Sequence, residues 1–330
     1  MALTVAVTGP TGEIGTSVVQ ALEQDDRVDR VVGMARRPFD PDSRGWRKTE
    51  YRQGDILDRP AVERLVADAD VVVHLAYVIL GSRELSERVN LAGTRNVFEA
   101  TTAAERPGRL VYTSSVAAYG YHGDNPVPLT EDVPPRGSSE HYYSAQKAAC
   151  EALLAETTSG LDVFVLRPCI VAGPEATVLL RNLPWEQAAP YVPAFLRRVL
   201  GAVPGLRPVL PDPGLHFQLV HHDDVATAVT MAVTSDAPPG AYNLAADGEI
   251  TMSDFAEAIG AYAVPVPSGV VDLTAVLVDR MPYRPAKAEW IHVARHPVLM
   301  DTSKARTTLG WTPQHSAHET LNAMVKATRS

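Results

Sequence analysis

The chain opens with LTVAVTGPTGEIGTSVVQAL at residues 3–22, an apolar run that reads as a strand, then glycines at 9, 12 and 15, then a helical pattern from about Ile14. Few arrangements constrain a fold more. The glycines permit a tight turn and a close backbone approach, and the helix they open points its N-terminal amides at whatever anion lies against the turn. The spacing is G-x-x-G-x-x-G and not the commoner G-x-G-x-x-G, so a glycine-rich turn without a ligand is the competing reading. The rest of the chain has to decide between them.

Apolar runs alternate with longer helical patterns through the first half: RVVGMAR at 30–36, DVVVHLA at 70–76, RLVYTSS at 109–115 and DVFVLRP at 162–168, separated by helices near Ala61, Val89 and Tyr143. This alternation predicts right-handed βαβ units, hence an α/β protein with a doubly wound (Rossmann) parallel sheet covered on both faces. Beyond Gly173 prolines accumulate, at 184, 190, 193, 204, 208, 211 and 213, and the alternation lapses. A dinucleotide-binding domain over 1–173 and a smaller, mainly substrate-binding lobe over 174–330 are expected, with some segments of the second returning to the first.

Net charge is −9 and no Lys/Arg-rich block appears, which removes the electrostatic footprint of a nucleic-acid binder and leaves a small molecule as the expected partner. No apolar segment approaches the roughly 18 residues of a membrane span. The two cysteines, Cys150 and Cys169, make no disulfide or metal framework. A cytoplasmic protein is expected.

Three further stretches bear on the glycines. Where a ribose-binding carboxylate would close the second strand, the chain reads Gly33-Met34-Ala35-Arg36-Arg37. Arginines there suit a 2′-phosphate, so NADP is favoured over NAD. Gly54-Asp55-Ile56 closes a third strand, where the Asp55 carboxylate is placed to accept from an adenine amino group, with a turn aspartate as the alternative. Finally, Tyr143 and Lys147 lie four apart on a predicted helix, hence on one face, whereas Tyr142 points elsewhere. An ammonium beside a phenol favours phenolate, which makes Tyr143 the expected general acid/base and Lys147 the group that lowers its pKa and holds ribose hydroxyls. Ser115, at the carboxyl end of the RLVYTSS strand, is expected to hydrogen-bond the reacting oxygen.

With these pieces in view the chain resembles the extended short-chain dehydrogenases/reductases of the NAD(P)-dependent epimerase/dehydratase family. The resemblance is carried by TGPTGEIG at 8–15, GDILD at 54–58, HLA at 74–76, NLAGTRN at 90–96, VYTSSVAAYG at 111–120, YSAQK at 143–147, LRPCIVAGP at 166–174, FQLVHHDDVATAV at 217–229 and TSKARTTLGW at 302–311. It implies Ser115, Tyr143 and Lys147 as the catalytic set. Around the cofactor it implies Thr11, Glu13 and Ile14 with the glycines, then Ile56, Leu75, Ala76, Asn90, Thr113, Pro168 and Ile170. It also implies a homodimer formed through the helices that carry Asn90 and Tyr143.

Two departures narrow the reaction. Dehydratases of the family carry an acidic pair just after the catalytic hydroxyl, and here Val116 and Ala117 stand in those places. Where many nucleotide-sugar epimerases have asparagine, this chain has Ile170, which suggests a less polar ligand. A reductase or dehydrogenase is therefore as strong an expectation as an epimerase; a cofactor-sensing regulator without turnover would need no tyrosine–lysine pair. The cluster His221-His222-Asp223-Asp224 resembles a metal site, but Asp223 or Asp224 is expected to cap the helix VATAVTMAV, and no metal is expected. His74 reads as a satisfied core histidine. Among Arg181, Arg197, Arg198, Arg207, Arg280 and Arg284, one or two could meet an anionic substrate.

Overall fold

The computed structural model describes residues 2–79, 82–181, 207–280, 291–293 and 295–329. Arg197, Arg198 and Arg284 lie outside the described residues, as does the side chain of Arg181.

Seven parallel strands form one sheet: β1 (Leu3–Thr8), β2 (Val28–Ala35), β3 (Thr49–Gln53), β4 (Val71–His74), β5 (Arg109–Thr113), β6 (Asp162–Pro168) and, late in the chain, β11 (Gly240–Leu244). Their spatial order is β3-β2-β1-β4-β5-β6-β11. The direction of winding reverses between β1 and β4, the switch point at which open α/β sheets bind ligands. Valines dominate the central strands because both faces are covered: Val5 to Val7 on β1 and Val72 and Val73 on β4 are fully buried.

On one face α1 (Gly15–Gln24) packs beside the helix His222–Thr234, and Val18, Leu22, Val225, Val229 and Trp311 share a core. The opposite face is covered by α2 (Arg59–Val66), α4 (Thr94–Ala103) and α5 (Tyr142–Thr157), with Leu65, Phe98, Leu110, Tyr112 and Leu154 beneath them. Each such side chain contributes roughly 1.5–3 kcal/mol by leaving water. The helix expected near Val89 starts as α3 (Arg83–Glu87) and runs into α4 through a wider π turn at Arg88–Gly93. That widening lies at Asn90.

The second half contributes to the sheet directly. β10 (Leu219–His221), the helix His222–Thr234 and β11 form one further βα unit, and β11 pairs with β6 from Gly240↔Phe164 to Leu244↔Pro168. A separate core of Leu210, Leu219, Ile250, Phe255, Leu321 and Met324 holds the remaining elements together.

The helix His222–Thr234 corrects one expectation. Its N-cap is His221, whose ring accepts from the Asp223 amide at 3.2 Å, while both aspartates lie inside the first turn. Asp224 is buried and faces the C-terminal segment, accepting from the Gln314 and His315 amides at 2.8 and 3.1 Å. The carboxylate is occupied by a distant backbone, so the ring before it does the capping.

Candidate active site

All the strand-end motifs meet at one edge of the sheet, because parallel strands present their carboxyl ends together. Gly9 follows β1, Arg36 and Arg37 follow β2, Asp55 follows β3, Leu75 and Ala76 follow β4, Ser115 follows β5, and Pro168 ends β6.

The three glycines have three different reasons to be there. Gly9 has φ +77° and its amide donates to the Met34 carbonyl at 2.9 Å; an added Cβ would stand 2.9 Å from the Ala76 nitrogen. Gly15 is packed so tightly that a Cβ would lie 2.0 Å from the Gly9 carbonyl oxygen. Gly12 is exposed, and its nearest would-be neighbour is 3.4 Å away, an ordinary contact. The protein itself does not require a glycine at 12; a ligand that needs the backbone close does. The helix α1 behind the turn has no side-chain cap and no acidic residue in its first turn, so its positive end is left for an anion, with Thr11, Glu13 and Ile14 around it. A dinucleotide pyrophosphate fits this cradle.

Arg36 and Arg37 are exposed and enter no ion pair among the described residues, although the backbone beneath them is braced by Gln53 and Tyr51. Asp55 accepts from the Leu57 amide at 3.0 Å, so one carboxylate oxygen serves a turn. Ile56 is buried against Gly93, where a Cβ would come within 2.6 Å of it. The Leu75 amide donates to the Thr8 carbonyl at 3.1 Å and the Ala76 amide to the Thr8 hydroxyl at 3.4 Å.

At the centre of this edge the Ser115 side chain lies beside the Tyr143 phenol, close enough to oppose the rise in its pKa. Ser115 also caps the short turn Val116–Tyr119, accepting from the Ala117 amide at 3.2 Å. Burial pushes the Tyr143 phenol up to about 12, opposed by the polar Ser115 side chain beside it, so the hydroxyl is protonated at neutral pH. Lys147 is buried; its Nζ donates to the Thr113 carbonyl at 2.9 Å and lies 3.7 Å from the centre of the Tyr77 ring. Burial lowers the Lys147 ammonium to about 8. In the protein alone the Lys147 ammonium is directed at Thr113 and Tyr77. Beside Lys147, the Thr113 hydroxyl is buried without a hydrogen-bond partner among the described residues. An orphaned hydroxyl at this place is a second observation that fits a bound dinucleotide.

Tyr142 points away as its spacing requires, donating to the Ile79 carbonyl at 2.5 Å. Asn90 is fully buried and spent on structure: its side chain accepts from the Val78 amide and donates to the Val78 carbonyl and to Gln146 Oε1, all at 2.8–2.9 Å. It positions the loop after β4. Pro168 is buried in register with Leu244, whereas Ile170 opens onto a neighbouring cleft. His74 is satisfied on both ring nitrogens, by the Thr8 hydroxyl at 2.7 Å and the Thr94 hydroxyl at 3.0 Å.

His221, His222 and Asp223 bring ligand atoms within 4.8 Å of one another, and His222 is engaged on both ring nitrogens. His222 Nε2 accepts from the Glu175 amide at 3.2 Å, so its proton sits on Nδ1, which faces the Ser17 hydroxyl at 2.7 Å and Asp223 at 2.9 Å. His221 Nδ1 is the helix cap.

Sequence reasoning missed two parts of the site. Tyr77, which walls Lys147, had no signal beyond following HLA. Beneath Ser115 lies a buried ion pair, Glu151 with Arg167, at 2.6 Å, continued by Ser114 donating to Glu151 at 2.5 Å and Arg167 donating to the Tyr119 hydroxyl at 2.8 Å. Its signal was an acid one turn beyond Lys147 and an arginine inside the apolar β6 run.

Comparison with known proteins agrees with this geometry. The model of a family described as the NAD dependent epimerase/dehydratase family matches residues 5–245. The uncharacterized protein Rv2047c of Mycobacterium tuberculosis is 30% identical over 98% of this chain, and this chain spans 30% of its length. A dTDP-glucose 4,6-dehydratase of Streptomyces antibioticus is 30% identical over 75% of this chain and 73% of its own. Among solved structures, the Bordetella bronchiseptica enzyme WbmH in complex with NAD+ superposes with a TM-score of 0.72 at 21% identity, covering 100% of this chain and 99% of that one.

Proposed function

The chain belongs to the NAD dependent epimerase/dehydratase family, and on that premise we propose that it is an oxidoreductase interconverting a carbonyl and a carbinol, with Tyr143 as the proton donor and acceptor. The observation that carries this reading is the placing of Ser115 beside Tyr143, one helical turn from Lys147, at the sheet edge where the glycine cradle opens. Reduction is the favoured direction: a phenol held protonated is ready to give its proton to a carbonyl oxygen. A bound reduced dinucleotide would supply the hydride to the carbonyl carbon and leave oxidised. Ser115 donates a second hydrogen bond to the reacting oxygen, and the charge left on Tyr143 is met by the Lys147 ammonium and by a proton from solvent. Val116 and Ala117 offer no carboxylate to remove or deliver the protons of water elimination, so dehydration is not part of the proposal.

Arg36 and Arg37, exposed and entering no ion pair among the described residues, support NADP over NAD, since a 2′-phosphate at the end of β2 would find two guanidinium groups there. The same reading includes a homodimer, supported by the outward face of α5, where Ala149, Ala152 and Ala155 would let a second helix approach closely. It places the reaction in the cytoplasm.

The test is to denature the purified protein, identify any nucleotide released, and titrate the emptied protein with NAD, NADH, NADP and NADPH. An empty protein that prefers NADPH and consumes it with a carbonyl compound bears out the proposal. Stoichiometric retained NAD would overturn it in favour of an epimerase that oxidises its substrate only transiently.

A further inference from the structure

A cleft of about 290 Å³ begins one residue beyond Ser115, at Val116, and runs into the second lobe past Ile170, Phe217, Met252, Phe255 and Val298. Its described walls include no Asp, Glu, Lys or Arg. The few polar groups are mostly engaged elsewhere. Gln218 faces the Met300 backbone, donating to its carbonyl at 3.2 Å and accepting from its amide at 2.8 Å. His216 is held by Glu249 at 2.7 Å. A nucleotide sugar brings a doubly charged diphosphate and a rim of hydroxyls, and burying these without partners is strongly unfavourable. An apolar ligand loses nothing by entering.

We propose that the substrate is an apolar carbonyl compound seated in this cleft with its carbonyl at Ser115 and Tyr143, and not a nucleotide sugar. The proposal rests on the reading of Ser115 and Tyr143 as the proton-handling pair. Specificity then comes from the apolar walls of the cleft, Ile170 and Val116 among them. Discrimination among ketones follows apolar area, because such walls reward buried surface and read little else.

Binding and chemistry separate cleanly if the full-length protein is saturated with NADP, with which a ketone forms a non-reacting complex. Calorimetric titration with 2-alkanones from butanone to decanone, and with UDP-glucose, is the measurement. Affinity should rise roughly fourfold per added methylene until the cleft is full, with UDP-glucose failing to compete. Leu215→Asn, on a half-buried wall position, should weaken decanone about tenfold while leaving NADP affinity unchanged. Affinity that does not rise with chain length, tighter binding of UDP-glucose than of decanone, or no effect of Leu215→Asn would each overturn the proposal. Turnover with NADPH distinguishes the underlying reading: decanone that binds but is not reduced leaves the cleft assignment standing and removes the roles of Ser115 and Tyr143, whereas reduction of a UDP-4-keto-sugar and of no alkanone does the reverse.

Discussion

The Lys147 ammonium stands 3.7 Å from the centre of the Tyr77 ring while donating to the Thr113 carbonyl at 2.9 Å. A buried cation is thus held by a ring face and one carbonyl, which leaves it two further hydrogen-bond donors and a pKa of about 8. Burial is the cause of the lowering, so the charged form is present below pH 8 and lost above it. Dinucleotide affinity that depends on this ammonium should weaken as pH rises through that range in the free protein. Lys147→Met should remove the pH dependence, and Tyr77→Leu, by removing the cation–π contact, should move its midpoint to lower pH. Calorimetry with NADPH between about pH 6 and pH 9.5 reads all three.

Tyr143→Phe deletes the hydroxyl and keeps the ring that packs edge-on against Tyr77 at 5.6 Å. Turnover should fall by roughly 10²- to 10⁴-fold with dinucleotide affinity within about twofold of the parent. Steady-state kinetics together with a binding titration checks the split. A large loss of dinucleotide affinity would mean that Tyr143 holds the cofactor instead of moving a proton.

The glycines predict opposite phenotypes. Gly15→Ala forces a methyl to within 2.0 Å of the Gly9 carbonyl oxygen and should lower Tm sharply or prevent folding. Gly12→Ala meets nothing closer than 3.4 Å and should leave Tm unchanged while weakening dinucleotide binding tenfold or more. Thermal melts with and without NADPH distinguish the two.

Arg36→Ala combined with Arg37→Ala should reduce the preference for NADP over NAD by roughly 10- to 100-fold, from the loss of one or two charge-assisted hydrogen bonds. Because both side chains are exposed and enter no ion pair among the described residues, stability should change little. Dissociation constants for the four nucleotides provide the readout.

His74 is held neutral, its pKa lowered to about 3 by burial and then by the nearby Lys147 charge. The unfolded imidazole takes a proton near pH 6.5, so between that value and about 3 the unfolded chain binds more protons. Stability should accordingly fall as pH drops through this window. Urea melts across it should show the slope reduced by about 1.4 kcal/mol per pH unit in His74→Asn, the weight of one proton.

How much of this was legible beforehand follows from how local each signal was. The strand–glycine–helix run, Tyr143 and Lys147 on one helix face, and the parallel order of the sheet are written in short spacings, and these were read correctly. What the sequence could not show is how Asn90 is held: its side chain bonds Val78 and Gln146, contacts 12 and 56 residues away in sequence. The helix cap at His221 was misread for a similar reason: Asp224 is occupied by backbone about 90 residues downstream.

The sequence by itself determined the fold class, the glycine turn between β1 and α1, and the placing of Tyr143 and Lys147 on one helix face, since backbone geometry and side-chain periodicity act over a few residues. Only the tertiary structure decided the protonation of Tyr143, the enclosure of Lys147 by Tyr77, the Glu151–Arg167 pair beneath Ser115 and the apolar character of the cleft. Each of these depends on desolvation, and desolvation is set by which distant segments pack together.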